Sequence, residues 1–226
     1  MRPDQSPFPA AWWGTDLENV GLAKARPRVG TYGRYSFRNL PTLPLNLNGS
    51  FDWLEDLPVN KHHIGVEREN ENVVALLRLL HACEEAGVQL PKLFIRFFER
   101  SELHQRIRST TDCYLDLVDV PHMLPTGDAL VRFLCDSQYC AFWYIHIPRG
   151  SRDHAVVGGT DLFGTSAEMA DWDLPLSNDL SFVERSFEAF MCRYWIEQET
   201  WYAAFEGRPL DPLAQVYVNE YARLAG

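Results

Sequence analysis

Ser186-Phe187-Glu188-Ala189-Phe190-Met191-Cys192-Arg193-Tyr194-Trp195-Ile196-Glu197-Gln198-Glu199-Thr200-Trp201 sets Phe187, Phe190, Tyr194 and Trp201 on one helical stripe. Carried upstream through Val183, the pattern predicts a helix from about Ser181 to Phe205, which Gly207 ends. Glu184, Glu188 and Glu199 fall off the stripe and are expected on a solvated face. Glu197 and Glu199 lie two apart and cannot share a face as a carboxylate pair. So aromatic a stripe, with no catalytic grouping on it, serves packing, and its natural counterpart is one face of a sheet.

Upstream the period changes from helical to alternating. Cys113 to Val118 reads as a strand, as does His154 to Gly158. Leu130 to Cys135 and Cys140 to Ile147 flank Asp136-Ser137-Gln138-Tyr139 as a hairpin. A loop symmetric about that tetrad pairs Cys135 with Cys140, Phe133 with Phe142 and Val131 with Tyr144 on the core side. On the opposite side it sets Arg132 across from Trp143, close enough to lie on the ring.

Helices are expected on either side of these strands. One runs from Asn72 to Ala86 through Val73, Leu76, Leu77, Leu80 and Cys83, and Gly87 stops it. Pro91 opens a second, Lys92 to Arg100, presenting Phe94, Phe97 and Phe98, and a turn with Ser101 as N-cap runs on to Ile107. Asp211 caps a last helix with Pro212 at its first position and Leu213, Val216, Tyr217, Tyr221 and Leu224 on its buried face. Residues 1–60 hold seven of the fourteen prolines and the Trp12-Trp13 pair. They read as an irregular extension, with a short strand or hairpin within Val29 to Phe37. Residues 61–226 then form an α+β domain, a mostly antiparallel sheet backed by helices.

Composition narrows the function classes. No apolar run approaches a membrane span and the N-terminus has no apolar signal core, so a cytoplasmic protein is expected. Five cysteines without CxxC spacing suit reduced, buried thiols. Residues 111–226 carry 18 acidic against 7 basic residues, net −11, whereas residues 1–110 are nearly neutral. Such a surface repels nucleic acid and anionic membranes and steers basic proteins toward itself.

The chemistry-bearing residues do not assemble by spacing. There is no GxSxG elbow, and the seven histidines lack HExxH or HxxxH spacing, so no metal site is predicted. Gly158-Gly159 leads into Thr160-Asp161 with no lysine following, which does not suit a phosphate. No cofactor is expected. Arg96, Arg100, Arg106 and Arg108, interleaved with Glu99 and Glu102, read as a salt-bridged surface.

The succession of Leu90-Pro91 before an aromatic helix, a turn through Ser101 to Ser109, Cys113 to Leu117, a hairpin ending in an aromatic strand, and Ser-Phe-Glu-x-Phe at Ser186 to Phe190 resembles the SUKH superfamily over roughly residues 88–205. Glu99-Arg100-Ser101 stand where that family usually has Asn-Gly. The resemblance implies a non-enzymatic binding module, and many bacterial members are immunity proteins that neutralise toxins. The long polar connection at 159–180 supplies the expected partner-binding residues Asp161, Glu168, Asp171, Trp172, Asp173 and Asp179, with Trp172 as anchor in an acidic rim for a basic toxin domain. Two alternatives stand beside this. One is a scaffold that recruits its partner through the Trp12-Trp13 arm, unless that arm packs on the sheet face carrying Trp143. The other is an enzyme with an uncommon site near Trp143, His146 and Tyr194.

Overall fold

The computed structural model describes residues 1–27, 30, 32–163 and 179–225. In chain order, β1 (Ala11–Gly14) and β2 (Gly33–Ser36) precede α1 (Asp52–Glu55), α2 (Glu69–Glu85), α3 (Lys92–Glu99) and α4 (Ser101–His104). The strands β3 (Tyr114–Leu115), β4 (His122–Met123), β5 (Ala129–Cys135), β6 (Phe142–Ile147), β7 (Ala155–Gly159) and β8 (Ser181–Glu184) follow, and α5 (Phe187–Glu206) and α6 (Pro212–Ala225) close the chain. The fold is α+β. Strands β3–β5–β6–β7–β8 form an antiparallel sheet in that order, with β4 beside β5, while β1 and β2 make a separate antiparallel ribbon.

The expected hairpin is there, but its register differs. Cys135 pairs with Phe142 and Arg132 with Tyr144, and a bulge interrupts the ladder between Arg132 and Leu134. Two features account for the shift. The turn is wider than the tetrad, closing where the Asp136 amide donates to the Ala141 carbonyl, and the bulge turns Phe133 and Leu134 both toward the helices. Arg132 therefore lies away from Trp143 and reaches the carboxylate of Asp116 at 2.9 Å and the carbonyl of Phe163.

The helix side of the sheet holds the main core. Phe133 meets Phe187 and Phe190 edge-on, and Phe187 packs on Phe94 with ring centroids 4.9 Å apart. A smaller cluster on the other face gathers Leu130, Phe142, Tyr144, Val157, Phe163 and Leu180.

Three elements depart from their expected faces. Residues 181–184 are a strand, because they pair with β7 and because Ser186 starts the helix by accepting the Ala189 amide on its hydroxyl. Glu184 and Glu188 are buried rather than solvated: Glu184 pairs with Arg193 at 3.0 Å, and Glu188 accepts the amides of Gly49 and Phe51. In α2 the buried stripe is Asn72, Leu76, Leu79 and Cys83, leaving Val73 and Leu77 outside, and in α6 Val216 and Leu224 are exposed while Ala214, Tyr217, Val218 and Tyr221 are buried.

The first sixty residues share the main core. The Phe182 amide donates to the Pro9 carbonyl at 2.8 Å, and Ala10 bridges Phe182 in parallel, so the ribbon continues the β8 edge. Trp12 and Trp13 are buried, and Trp12 packs against Phe190. Glu197 of α5 accepts hydrogen bonds from Trp12 Nε1 at 2.7 Å, Arg26 Nη1 at 2.8 Å, Arg26 Nη2 at 2.6 Å and the Tyr217 hydroxyl at 2.8 Å. Burial alone would lower the Arg26 pKa, yet Glu197 holds it above its ordinary value.

Both partners of this ion pair are essentially inaccessible, so removing one charge strands the other. Glu197→Gln should therefore cost on the order of 3–5 kcal/mol of unfolding free energy in urea titrations. A loss below about 1 kcal/mol would contradict the role given to this carboxylate. Acidification acts on several buried histidines, among them His104, whose Nε2 is 2.7 Å from the Phe97 carbonyl. Burial pulls its pKa down to about 4, against the raising effect of that carbonyl. The unfolded chain takes up the proton near pH ~6.5, so this contribution is whole above that pH and declines toward pH 4. Stability should fall between those limits, and His104→Gln should reduce the slope by up to about 1.4 kcal/mol per pH unit; an unaltered slope counts against it.

Candidate functional site

Where the ribbon meets the sheet, β2, the loop before β3 and the turn after β5 enclose a cleft of about 550 Å³. Tyr32, Asp112 and Asp136 form one part of its lining, and Trp13, Arg34 and Thr160 another. Tyr32 and Asp112 take left-handed backbone conformations, φ 55° and 53°, and Tyr139 in the adjoining turn takes φ 59°. Side chains disfavour that region by roughly 1–2 kcal/mol each, so surrounding contacts must hold these loops in place.

Asp136 is the main such contact. Its Oδ1 accepts the amides of Gln138 at 2.9 Å and Cys140 at 3.2 Å, which shapes the turn, and its Oδ2 accepts the Tyr32 hydroxyl. The carboxylate is buried, and among the described residues it has no ion pair. Asp112 is exposed and likewise lacks a basic partner among the described residues. The cleft's arginine is already engaged. Arg34 lies 4.5 Å from the Trp13 ring centre and pairs with Asp179, whose carboxylate also accepts the Thr160 hydroxyl at 2.7 Å. Burial would raise the Asp179 pKa, but the Thr160 hydrogen bond and the Arg34 charge together lower it.

Beneath Tyr32 lies a buried polar cluster. The Tyr32 hydroxyl is 3.0 Å from Thr111 Oγ1 and 3.4 Å from Cys113 Sγ, and Tyr194 donates to Ser109 Oγ at 2.9 Å. Burial is the largest cause raising the Tyr32 and Cys113 pKa values, so both stay protonated near neutrality. The arrangement can hold hydrogen-bonding and cationic groups, and it keeps its own thiol and phenol unreactive.

Of the residues expected to bind a partner, Asp179 stands at the rim of the cleft with Arg34 and Thr160. Asp161 is next to Thr160 and accepts the Tyr144 hydroxyl on its carbonyl, on the far side of the sheet from the helices. Glu168, Asp171, Trp172 and Asp173 lie outside the described residues. The alternative grouping does not assemble: Trp143 packs with Tyr194 on the helix side, whereas His146 faces away to Asp128 and Phe8. Among the described residues no three His, Cys, Asp or Glu side chains are placed to share a metal ion, and no helix is long and apolar enough to cross a membrane.

Sequence spacing does not mark Tyr32 or Asp112. Only Asp136 carries a local signal, as an acid opening a turn whose side chain can take the amides that follow. Comparison of the chain with protein-family models, with curated proteins and with solved structures gives no match.

The five cysteines are all free, and Cys140, on the cleft lining, is the exposed one. Native protein should therefore show one fast thiol toward a chromogenic disulfide reagent and five after denaturation. Cys140→Ser should abolish the fast one, and a second fast thiol in the native protein would contradict the burial of Cys83, Cys113, Cys135 and Cys192.

Proposed function

We propose that this chain is a non-enzymatic protein-binding module that receives a basic segment of its partner in the cleft. The observation that carries this is the pairing pattern: Asp112 and Asp136 line the cleft without a basic partner among the described residues, while Arg34 is held by Asp179. A guanidinium or ammonium entering there finds the exposed Asp112 carboxylate, and one remaining acceptor position on Oδ2 of the buried Asp136, beside the Trp13–Arg34 platform. The formal charge of −10 attracts such a segment from a distance.

The resemblance to the SUKH superfamily supports the same reading and gives it a setting, an immunity protein that neutralises a basic toxin domain. Asp179, at the rim of the cleft, belongs to the same proposed binding surface; Asp161, Glu168, Asp171, Trp172 and Asp173 are proposed as further partner-binding residues on their sequence character, an aromatic set among acids. Recruitment through the Trp12-Trp13 arm is less well supported, because both indoles are buried in the core. The Tyr32 and Cys113 hydroxyl and thiol, held protonated, suit binding better than nucleophilic chemistry.

The test is capture of partners by the tagged chain, quantified for the wild type and for Asp112→Arg at low and high salt. Asp112 is exposed, so the charge reversal should leave the fold intact. Capture should fall about tenfold or more in the variant, and wild-type capture should weaken as salt rises. Equal capture by both proteins, insensitive to salt, would overturn the proposal.

A further inference from the structure

We infer that the outward face of α2 is a second docking surface, shaped for an amphipathic helix whose basic residues flank its apolar stripe. Val73, Val74 and Leu77 fall on one side of this 17-residue helix and are 50%, 48% and 66% exposed. A rotation of the helix cannot hide them. Asn72 on the opposite side donates to the Leu115 carbonyl and accepts the Leu117 amide, both at 2.9 Å, which locks α2 against the sheet edge. Beside the stripe, a groove of about 490 Å³ runs between α2 and residues 116–119, with Val74, Ala75 and Val118 among its walls.

The charges around the stripe select the occupant. Glu67 and Glu69, with Glu71 held by Arg68, stand at one end, and Glu84, with Glu85 3.5 Å from His81 Nε2, at the other, so the acids outnumber the bases at both ends. The nearby bases are engaged, Arg68 by Glu71 and Asp116 and Arg78 by Asp119. No basic residue lies in the last turn of α2, where Glu84 and Glu85 oppose the helix dipole at a cost to the isolated helix. A second copy does not fit. Antiparallel pairing about Leu77 would bring Glu69 and Glu71 onto Glu84 and Glu85, and parallel pairing would set each acid on its own counterpart. A helix with apolar residues at i, i+3, i+4 and i+7 and lysines or arginines toward both ends satisfies the stripe and the acids together. This surface lies apart from the cleft lining, so the two readings stand or fall separately.

The experiment uses the full chain and a fluorescein-labelled helical peptide of about 17 residues, with a leucine stripe and lysines at both ends, read by anisotropy; a matched peptide with glutamates replacing the lysines is the comparator. The lysine peptide should bind at least about tenfold more tightly than the glutamate peptide. Its affinity should drop about tenfold in Val73→Asp/Leu77→Asp, positions exposed enough to leave the melting curve unchanged, and stay unaltered in Asp112→Arg. Equal affinity for the two peptides, no loss in the double variant, or loss only in Asp112→Arg would overturn the inference. So would a wild-type dimer in sedimentation equilibrium that Leu77→Asp dissociates, since the occupant would then be a second copy.

Discussion

A carboxylate with no access to water sits in the middle of α5, and four hydrogen bonds from three distant segments converge on it. Glu197 takes the Trp12 indole, both terminal nitrogens of Arg26 and the Tyr217 hydroxyl. A buried charge is tolerable only when its partners are complete. The N-terminal segment through Arg26, α5 and α6 are therefore obliged to arrive together. Arg193, one helical turn earlier, repeats the arrangement with Glu184, Tyr217 and the Pro41 carbonyl. The same helix that covers the sheet with Phe187 and Phe190 thus clamps the N-terminal segment on its other side.

The cleft depends on that clamp. Trp13 follows the Trp12 that Glu197 holds, and β1 carries β2, which delivers Tyr32 and Arg34 to the ends of β5 and β7. Tyr32 reaches Asp136 only because the ribbon is seated, and Asp136 in turn shapes the strained turn after β5. The strain in these loops is small beside the cost of disturbing the core, which explains how left-handed tyrosines and an aspartate persist. A cleft built this way is held in one arrangement by the core beneath it, so its lining is preorganised.

Much of the scaffold was legible because it is written locally. The stripe of Phe187, Phe190 and Tyr194, the stops at Gly87 and Gly207 and the prolines opening α3 and α6 all follow from neighbours within one or two turns. What periodicity misassigned was polar residues placed inside. Glu184 and Glu188 look solvated in sequence, because their partners, Arg193, Gly49 and Phe51, are known only once the chain is folded, and nothing near Glu197 in the sequence points to Arg26. Asn72 misled in the same way, turning α2 so that Val73 and Leu77 face out. The bulge after Arg132 left no mark in composition, and it decides which strand residues meet the helices. The cleft was harder still, since its walls come from residues near 13–34, 111–112 and 136–140.

Native-state hydrogen exchange tests most directly whether the N-terminal ribbon and the helical layer form one cooperative unit. The account predicts that the Trp12 indole proton and the ladder amides of β1 and β2 exchange only through global opening, with the same free energy and denaturant dependence as those of β5 and β6. Exchange of the ribbon through a separate, lower-energy opening, while the central strands stay protected, would contradict it.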